Sequence, residues 1–437
     1  MYDTLISWRT HYSAYMNIKL WLLISGLTLI AIVYFVRQPL VTYQNGLFFD
    51  AKQYYLIAER SADMGPISGV SPLVYRIGLP WLIGWLASDN IVNGFKLANF
   101  TFGIATVIVF VFLLREIFKA WGLIFLLGLL FIINLNSPFR FNAFYPVMTD
   151  PPLIFFSTLI LYIHIRSKSY TWPTIAVLSA VTFVGVLFRE VTLLAPVAIY
   201  AAYLITQIRA GIDLSAISVQ FLYRSIPVVS GIIALSLTHH LVVATSTYTY
   251  LGQARQLLQF HWQHPLTYLL TPLATYGPLL LLAILFSSSS TGDFLKRFPS
   301  LPIYMVGVLC LTLIGGYHGT RLIFWGYVAV LPMIGIALVD IDERYPIYLK
   351  ICILVPIALA QFLAQNPLGL VPDFTGSPVP KFPEFYWLFP YGENAHYSHL
   401  DPHTMGVDLR WQMLFQYLVI ALYLGLIRVG SIWMTPK

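Results

Sequence analysis

Two carboxylates and three arginines stand out in an otherwise apolar chain because each lies where an apolar run begins or ends. Asp50 sits in FFDAKQYYLIAERSADMGP, ahead of a helical stretch that places Tyr54, Ile57, Ala58 and Ala62 on one face and stops at Gly65-Pro66. It reads as an N-cap with Gln53 three residues on, and equally as a carboxylate fixed at a membrane surface to act as a general base. The two readings are compatible, since a cap also holds a carboxylate still. Asp150, in FNAFYPVMTDPPLIFF, reads as a second cap with Pro151 at the first helical position. Thr149 serves that purpose equally well, which leaves the Asp150 carboxylate available to a two-carboxylate site. Arg189-Glu190 interrupts an apolar stretch over 172–208. A turn needs only polarity, which Gly, Asn or Ser supply, so an ionisable pair at membrane depth points to function. Arg321 opens a further run in GGYHGTRLIFWGYVAVLP. Alone it is a snorkelling interfacial arginine; with Arg76 and Arg189 it completes a cluster suited to a phosphate or diphosphate.

The elements that position these residues follow from composition. The chain has 437 residues, 58% hydrophobic and only 10% charged, against roughly 25% charged in a soluble domain. Soluble and disordered classes are thereby excluded, and an all-α polytopic membrane protein is expected. A helix needs ~20 apolar residues to cross a bilayer. Runs at 20–36, 97–114, 121–135, 151–165, 172–188, 191–208, 225–244, 266–287, 301–316, 321–339, 347–363 and 411–427 give about twelve spans. The stretch over 172–208 divides into two antiparallel spans turning at Arg189-Glu190, because one helix of that length overshoots the hydrocarbon. The first run is a full span with no evident cleavage site, so no removable signal peptide is expected. Cys310 and Cys352 both lie in apolar runs and imply no disulfide framework.

Charge sets the orientation. If residues 73–88 stay in the interface, fourteen of the 25 basic residues fall on the side of the N-terminus; if they cross, every later loop switches sides and only nine do. The positive-inside rule selects the first case. Both termini are then cytoplasmic, and three long outer segments, 37–96, 245–265 and 364–410, carry the working surface. Two modules are expected, 1–210 with the first outer loop and 211–437 with the other two. The sequence contains no glycine-rich nucleotide loop and no sign of a nucleic-acid partner. His396, His399, Asp401 and His403 lack zinc-site spacing and read as a solvated loop. His261 and His264 flank Trp262 in an interfacial belt, and the Asn99-Phe100-Thr101 sequon begins a span, which removes its meaning.

Taken together these residues resemble the GT-C class of integral-membrane glycosyltransferases, in order of features more than in exact motif. The similar features are a first span, then Asp50 before a Tyr-rich juxtamembrane helix; a second juxtamembrane segment, Pro72–Ser88, with Tyr75-Arg76; Asp150-Pro151 before an apolar span; Arg189 at a helical hairpin; and Arg321 ahead of Pro332. The likeness is strongest over 20–210 and to bacterial proteins of surface-glycopolymer assembly. It departs in the first loop, where many members have adjacent acids but Asp50 is followed by Ala51-Lys52, and in having no large C-terminal soluble domain.

The resemblance implies transfer of a hexosyl or pentosyl unit, with inversion, from a polyprenyl-phosphate-linked donor to an acceptor hydroxyl on a glycan, lipid or protein, at the outer face of the plasma membrane. Asp50 is then the general base, and Asp150 a catalytic partner orienting the acceptor or a cation. Arg76, Arg189 and Arg321 bind the donor phosphate. Tyr54, Tyr55, Tyr75, Glu190 and His318 position substrate, within a membrane-lipid environment. No cofactor is required by the residues; a divalent cation is compatible with them, and the metal is left open. Two rivals stand beside this reading: a lipid-linked glycan polymerase or ligase, which shares the arginines but has no need of Asp50, and a transporter. A transporter site lies at the bilayer midplane between repeated halves, whereas here the ionisable residues gather at one face.

Overall fold

A computed structural model describes residues 2–47, 50–167, 170–211, 219–245, 250–286, 289–316, 318–371 and 407–434. The four residues His396, His399, Asp401 and His403 lie outside the described residues. The first half of the described chain holds α1 (Tyr2–Arg37), α2 (Asp50–Ala62), α3 (Gly78–Leu86), α4 (Ile91–Ile117), α5 (Trp121–Ile133), α6 (Phe141–Phe144), α7 (Asp150–Arg166), α8 (Trp172–Phe188) and α9 (Leu194–Arg209). The second holds α10 (Val219–Leu241), α11 (Tyr250–Gln263), α12 (Pro265–Tyr276), α13 (Leu279–Leu285), α14 (Ser289–Arg297), α15 (Ser300–Ile314), α16 (Gly319–Phe324), α17 (Tyr327–Arg344), α18 (Ile347–Gln365) and α19 (Val407–Met434). Residues Ser68–Gly69 pair in parallel with Val243–Ala244, tying the first loop to the end of α10.

The chain is a multi-pass helical membrane protein. Every one of the twelve apolar runs lies on these helices, but they are not equally built to cross. Ile18–Arg37, Ser88–Ile117, Glu190–Arg209, Gln220–Leu241, Ile347–Gln365 and Arg410–Gly430 are long and apolar enough. The pairs Pro265–Tyr276 with Leu279–Leu285 and Ser290–Arg297 with Ser300–Ile314 bend by 108° and 87° and bring the number to eight if each is one span. Trp121–Ile133 and Trp172–Phe188 are shorter apolar helices. The count of twelve therefore stands on hydropathy, while helix length and composition support six to eight. The sharpest bend has a local cause: Gly277 adopts φ 71°, left-handed backbone that favours glycine, and Pro278 follows it.

The division of 172–208 at Arg189-Glu190 is present, with α8 ending at Phe188 and a short 3-10 turn, Glu190–Leu193, leading into α9. The segment 73–88 forms α3, only 9 residues long. That is ~14 Å, less than half the ~30 Å hydrocarbon thickness. α3 instead lies against α2, where a Cβ on Gly84 would stand 2.1 Å from the Ala58 carbonyl oxygen.

Lipid offers no hydrophobic driving force between helices, so close packing and buried hydrogen bonds hold the bundle. At its centre α7 and α17 join through a hydrogen bond between Thr158 Oγ1 and the Tyr327 hydroxyl. The Tyr276 hydroxyl donates to the Ile323 carbonyl at 2.8 Å, fixing α12 against α16. Phe131 of α5 stacks on Phe324 with ring centroids 5.6 Å apart. A separate apolar cluster lies beneath α2, built from Tyr54, Ile57, Val74, Phe95 and Phe144.

Candidate active site

Five separated pieces of chain meet above this cluster: the start of α2, the turn before α3, the start of α7, the α8–α9 turn and α16. Each is brought there by a local device. The loop before α7 is held by Asn99 of α4, whose Nδ2 donates to the carbonyls of Pro146 at 2.6 Å and Met148 at 3.0 Å. Pro151 and Pro152 then occupy the first helical positions of α7, where a missing N–H is harmless. The α8–α9 turn is seated close to α7 because a Cβ on Gly185 would meet Thr192 Cγ2 at 2.7 Å and Phe156 Cβ at 2.9 Å. The short α16 and the break at Trp325-Gly326 point Arg321 and Trp325 back towards Asp150.

The result is one continuous polar network. Arg321 Nη2 stands 3.6 Å from Asp50 Oδ2, and its Nε stands 3.6 Å from Asp150 Oδ1. Asp150 Oδ2 lies 3.2 Å from Arg189 Nη1, and Asp150 Oδ1 accepts from Trp325 Nε1 at 3.1 Å. The Arg189 guanidinium lies over the Trp325 ring, 4.7 Å from its centroid. Arg189 Nη1 also donates to Thr149 Oγ1 at 3.1 Å, and Thr149 Oγ1 in turn reaches the Tyr54 hydroxyl at 3.4 Å. Arg76 Nη1 donates to the same hydroxyl at 2.8 Å. Arg76 is gripped by Glu190 on two sides, Nη2 to Oε1 at 2.6 Å and Nε to Oε2 at 2.9 Å. Burial works against the charge on Arg76, but Glu190 and Tyr54 outweigh it and hold the guanidinium well above its ordinary pKa.

Three carboxylates thus face three guanidiniums, and their access differs sharply. The side chains of Asp150, Glu190 and Asp50 are 2%, 15% and 31% exposed. Asp50 is the open carboxylate, Asp150 a sealed one.

Of the expected residues, Asp50, Asp150, Arg76, Arg189, Arg321, Tyr54 and Glu190 come together. Tyr75 turns elsewhere and stacks on His239, ring centroids 3.7 Å apart. Tyr55 packs at the edge of the apolar cluster under α2. His318 takes the N-cap position of α16, three residues ahead of Arg321. The expected caps are put to other uses. Thr149 stands at the N-cap position of α7 without a capping bond, its hydroxyl committed to Arg189 and Tyr54. Gln53 accepts from the Val70 amide at 3.4 Å instead of reaching back to Asp50.

Trp325, Thr149 and Tyr145 were not singled out as site residues. Tyr145 receives the Ala51 amide on its hydroxyl at 3.3 Å, steadying the first turn of α2. Trp325 carried a readable signal: four residues after Arg321, it shares a helical face with it, and a buried indole N–H needs an acceptor. Arg140 was also passed over. It is the largest fully buried side chain among the described residues, and it donates to the carbonyls of Ile133, Gln365, Asn366 and Gly369. One guanidinium thereby caps the C-terminal ends of both α5 and α18.

No protein-family model matches the chain, and no curated protein does. Among solved structures it is similar to the crystal structure of the Archaeoglobus fulgidus oligosaccharyltransferase in complex with zinc and sulfate, at a TM-score of 0.51 and 13% identity. The match covers 79% of this chain and 52% of that one, so the chain spans about half the length of that protein. The likeness is one of fold alone.

The neighbour's zinc raises the question of whether the present residues fit a resident cation. Among the described residues no group of three or more His, Cys, Asp or Glu side chains gathers. Asp50 and Asp150 each already face the Arg321 guanidinium at 3.6 Å. This donor set does not fit a resident divalent metal.

Proposed function

We propose that the protein is a membrane glycosyltransferase that moves a sugar from a polyprenyl-phosphate-linked donor to an acceptor hydroxyl, with inversion, at the extracytoplasmic face. The observation that carries this reading is the open carboxylate of Asp50 at the head of α2, beside Arg321, in a site where Asp150 is sealed and Glu190 is held by Arg76. A base must reach the acceptor proton, and a leaving phosphate needs positive charge next to it. In the step, the acceptor oxygen bonds to the anomeric carbon as its proton passes to Asp50. The bond from that carbon to the phosphate oxygen breaks, and its electron pair leaves with the phosphate towards Arg321.

The remaining roles follow from burial. Asp150 is too enclosed to orient an acceptor, and we assign it to holding Arg321 and Arg189. Arg76 is committed to Glu190 and Tyr54, so it braces the α8–α9 turn against the first loop and leaves donor contact to Arg321. The fold neighbour supports the reaction class, and the short basic loops support cytoplasmic termini and an outer active site. The decisive experiment is mass spectrometry of lipid-linked sugars that co-purify with the protein, followed by transfer from the identified donor to a hydroxyl acceptor in nanodiscs. A donor that binds but is never turned over with any acceptor would refute the proposal.

A further inference from the structure

We infer that the Arg321 guanidinium stands in the position of a bridging divalent cation, so that Asp50 and Asp150 form a site that works without metal. For its catalytic meaning this rests on the glycosyl-transfer reading; its geometric content does not. Arg321 offers a separate nitrogen to each carboxylate, Nη2 to Asp50 Oδ2 and Nε to Asp150 Oδ1, both at 3.6 Å. Asp150 is further held by Trp325, which donates to Oδ1 at 3.1 Å, and by Arg189, whose Nη1 faces Oδ2 at 3.2 Å. Hard cations bind carboxylate oxygens at ~2.0–2.6 Å, a distance reachable here only by displacing the guanidinium.

Charge makes the same point. Three carboxylates and three guanidiniums sum to zero in a site where most of the side chains are sealed from water. A divalent ion added to it would meet Arg321, Arg189 and Arg76 as like charges with little screening. A guanidinium, by contrast, is permanently charged, attached to the chain and flat. It lies within ion-pair distance of two carboxylates and places a fixed positive charge beside a departing phosphate. Removing it should therefore leave Asp50 and Asp150 without their shared counter-charge, a latent site for a cation.

Manganese ion alone is the probe. Its binding to the full-length protein in phosphatidylcholine nanodiscs, read by electron paramagnetic resonance, is compared across wild type, Asp50→Asn, Arg321→Ala and Arg321→Ala/Asp50→Asn. The expected result is no Asp50-dependent binding by wild type, a gain of at least about ten-fold in affinity for Arg321→Ala, and loss of that gain in the double variant. Arg321→Gln, which keeps the side chain polar while removing its charge, replaces Arg321→Ala if the latter does not fold. Wild-type binding that falls on Asp50→Asn, or an Arg321 variant that binds no better than wild type, overturns the inference. Transfer by wild type should be unchanged by EDTA. If no transfer occurs with or without EDTA, the enzyme reading has failed, while the manganese comparison still decides the place of Arg321.

Discussion

Replacing Asp50 and Asp150 in turn by asparagine should separate chemistry from architecture, because the two carboxylates share Arg321 but not their exposure. Asp50 is 31% exposed and touches Arg321 at a long 3.6 Å. An ion pair this open contributes about 0–1 kcal/mol, and Asn heads a helix as well as Asp does. Asp50→Asn should therefore leave the apparent melting temperature nearly unchanged. What it removes is the ability to accept a proton, for which loss of a general base costs about 10²–10⁴-fold in rate, or ~3–5 kcal/mol of barrier. Asp150 is 2% exposed and carries Arg189 at 3.2 Å and Arg321 at 3.6 Å. Neutralising it leaves two buried guanidiniums short of a counter-charge, and breaking a buried pair costs about 3–5 kcal/mol. Asp150→Asn should thus lower the melting temperature by several degrees. The assay pairs thermal unfolding in nanodiscs with initial transfer rates at saturating donor, using the exposed Asp63→Asn as control. Near-wild-type transfer by Asp50→Asn, or equal destabilisation by the two variants, would refute the reasoning.

Three further outcomes are expected. Glu190→Gln should destabilise the protein by about 3 kcal/mol or more, since it strips the charge from a bidentate partner of buried Arg76; adding Arg76→Met should recover part of that loss, and a double-mutant cycle in thermal unfolding measures it. Arg140→Met should cost on the order of 3 kcal/mol by leaving the carbonyls of Ile133, Gln365, Asn366 and Gly369 without their shared donor; limited proteolysis after residue 366 should accelerate, and an unchanged pattern would count against the capping role. In a background with the exposed Cys310 and Cys352 replaced by serine, Asp63→Cys and Asn93→Cys, which flank 73–88 and are both exposed, should react with an impermeant thiol reagent from the same side of the membrane; reaction from opposite sides would overturn the placement of 73–88.

Hydropathy and charge alone were enough to read a polytopic helical chain and the break at Arg189-Glu190. These depend on local apolar length and on where isolated charges fall, which the bilayer makes decisive. The same logic marked Asp50, Asp150, Arg76, Arg189, Arg321 and Glu190, because an ionisable residue in so apolar a chain needs a reason. The number of true spans was not legible, since an apolar run does not reveal a bend such as that at Gly277 or a break such as Trp325-Gly326. Nor was the division of labour among the charged residues. That Glu190 takes Arg76, that Arg321 bridges Asp50 and Asp150, and that Asp150 is enclosed while Asp50 is open are all consequences of packing between segments far apart in the chain. Thr149, Trp325 and Arg140 were passed over for the same reason: a hydroxyl, an indole and one more loop arginine acquire meaning only when the fold supplies the partner that burial obliges each of them to find.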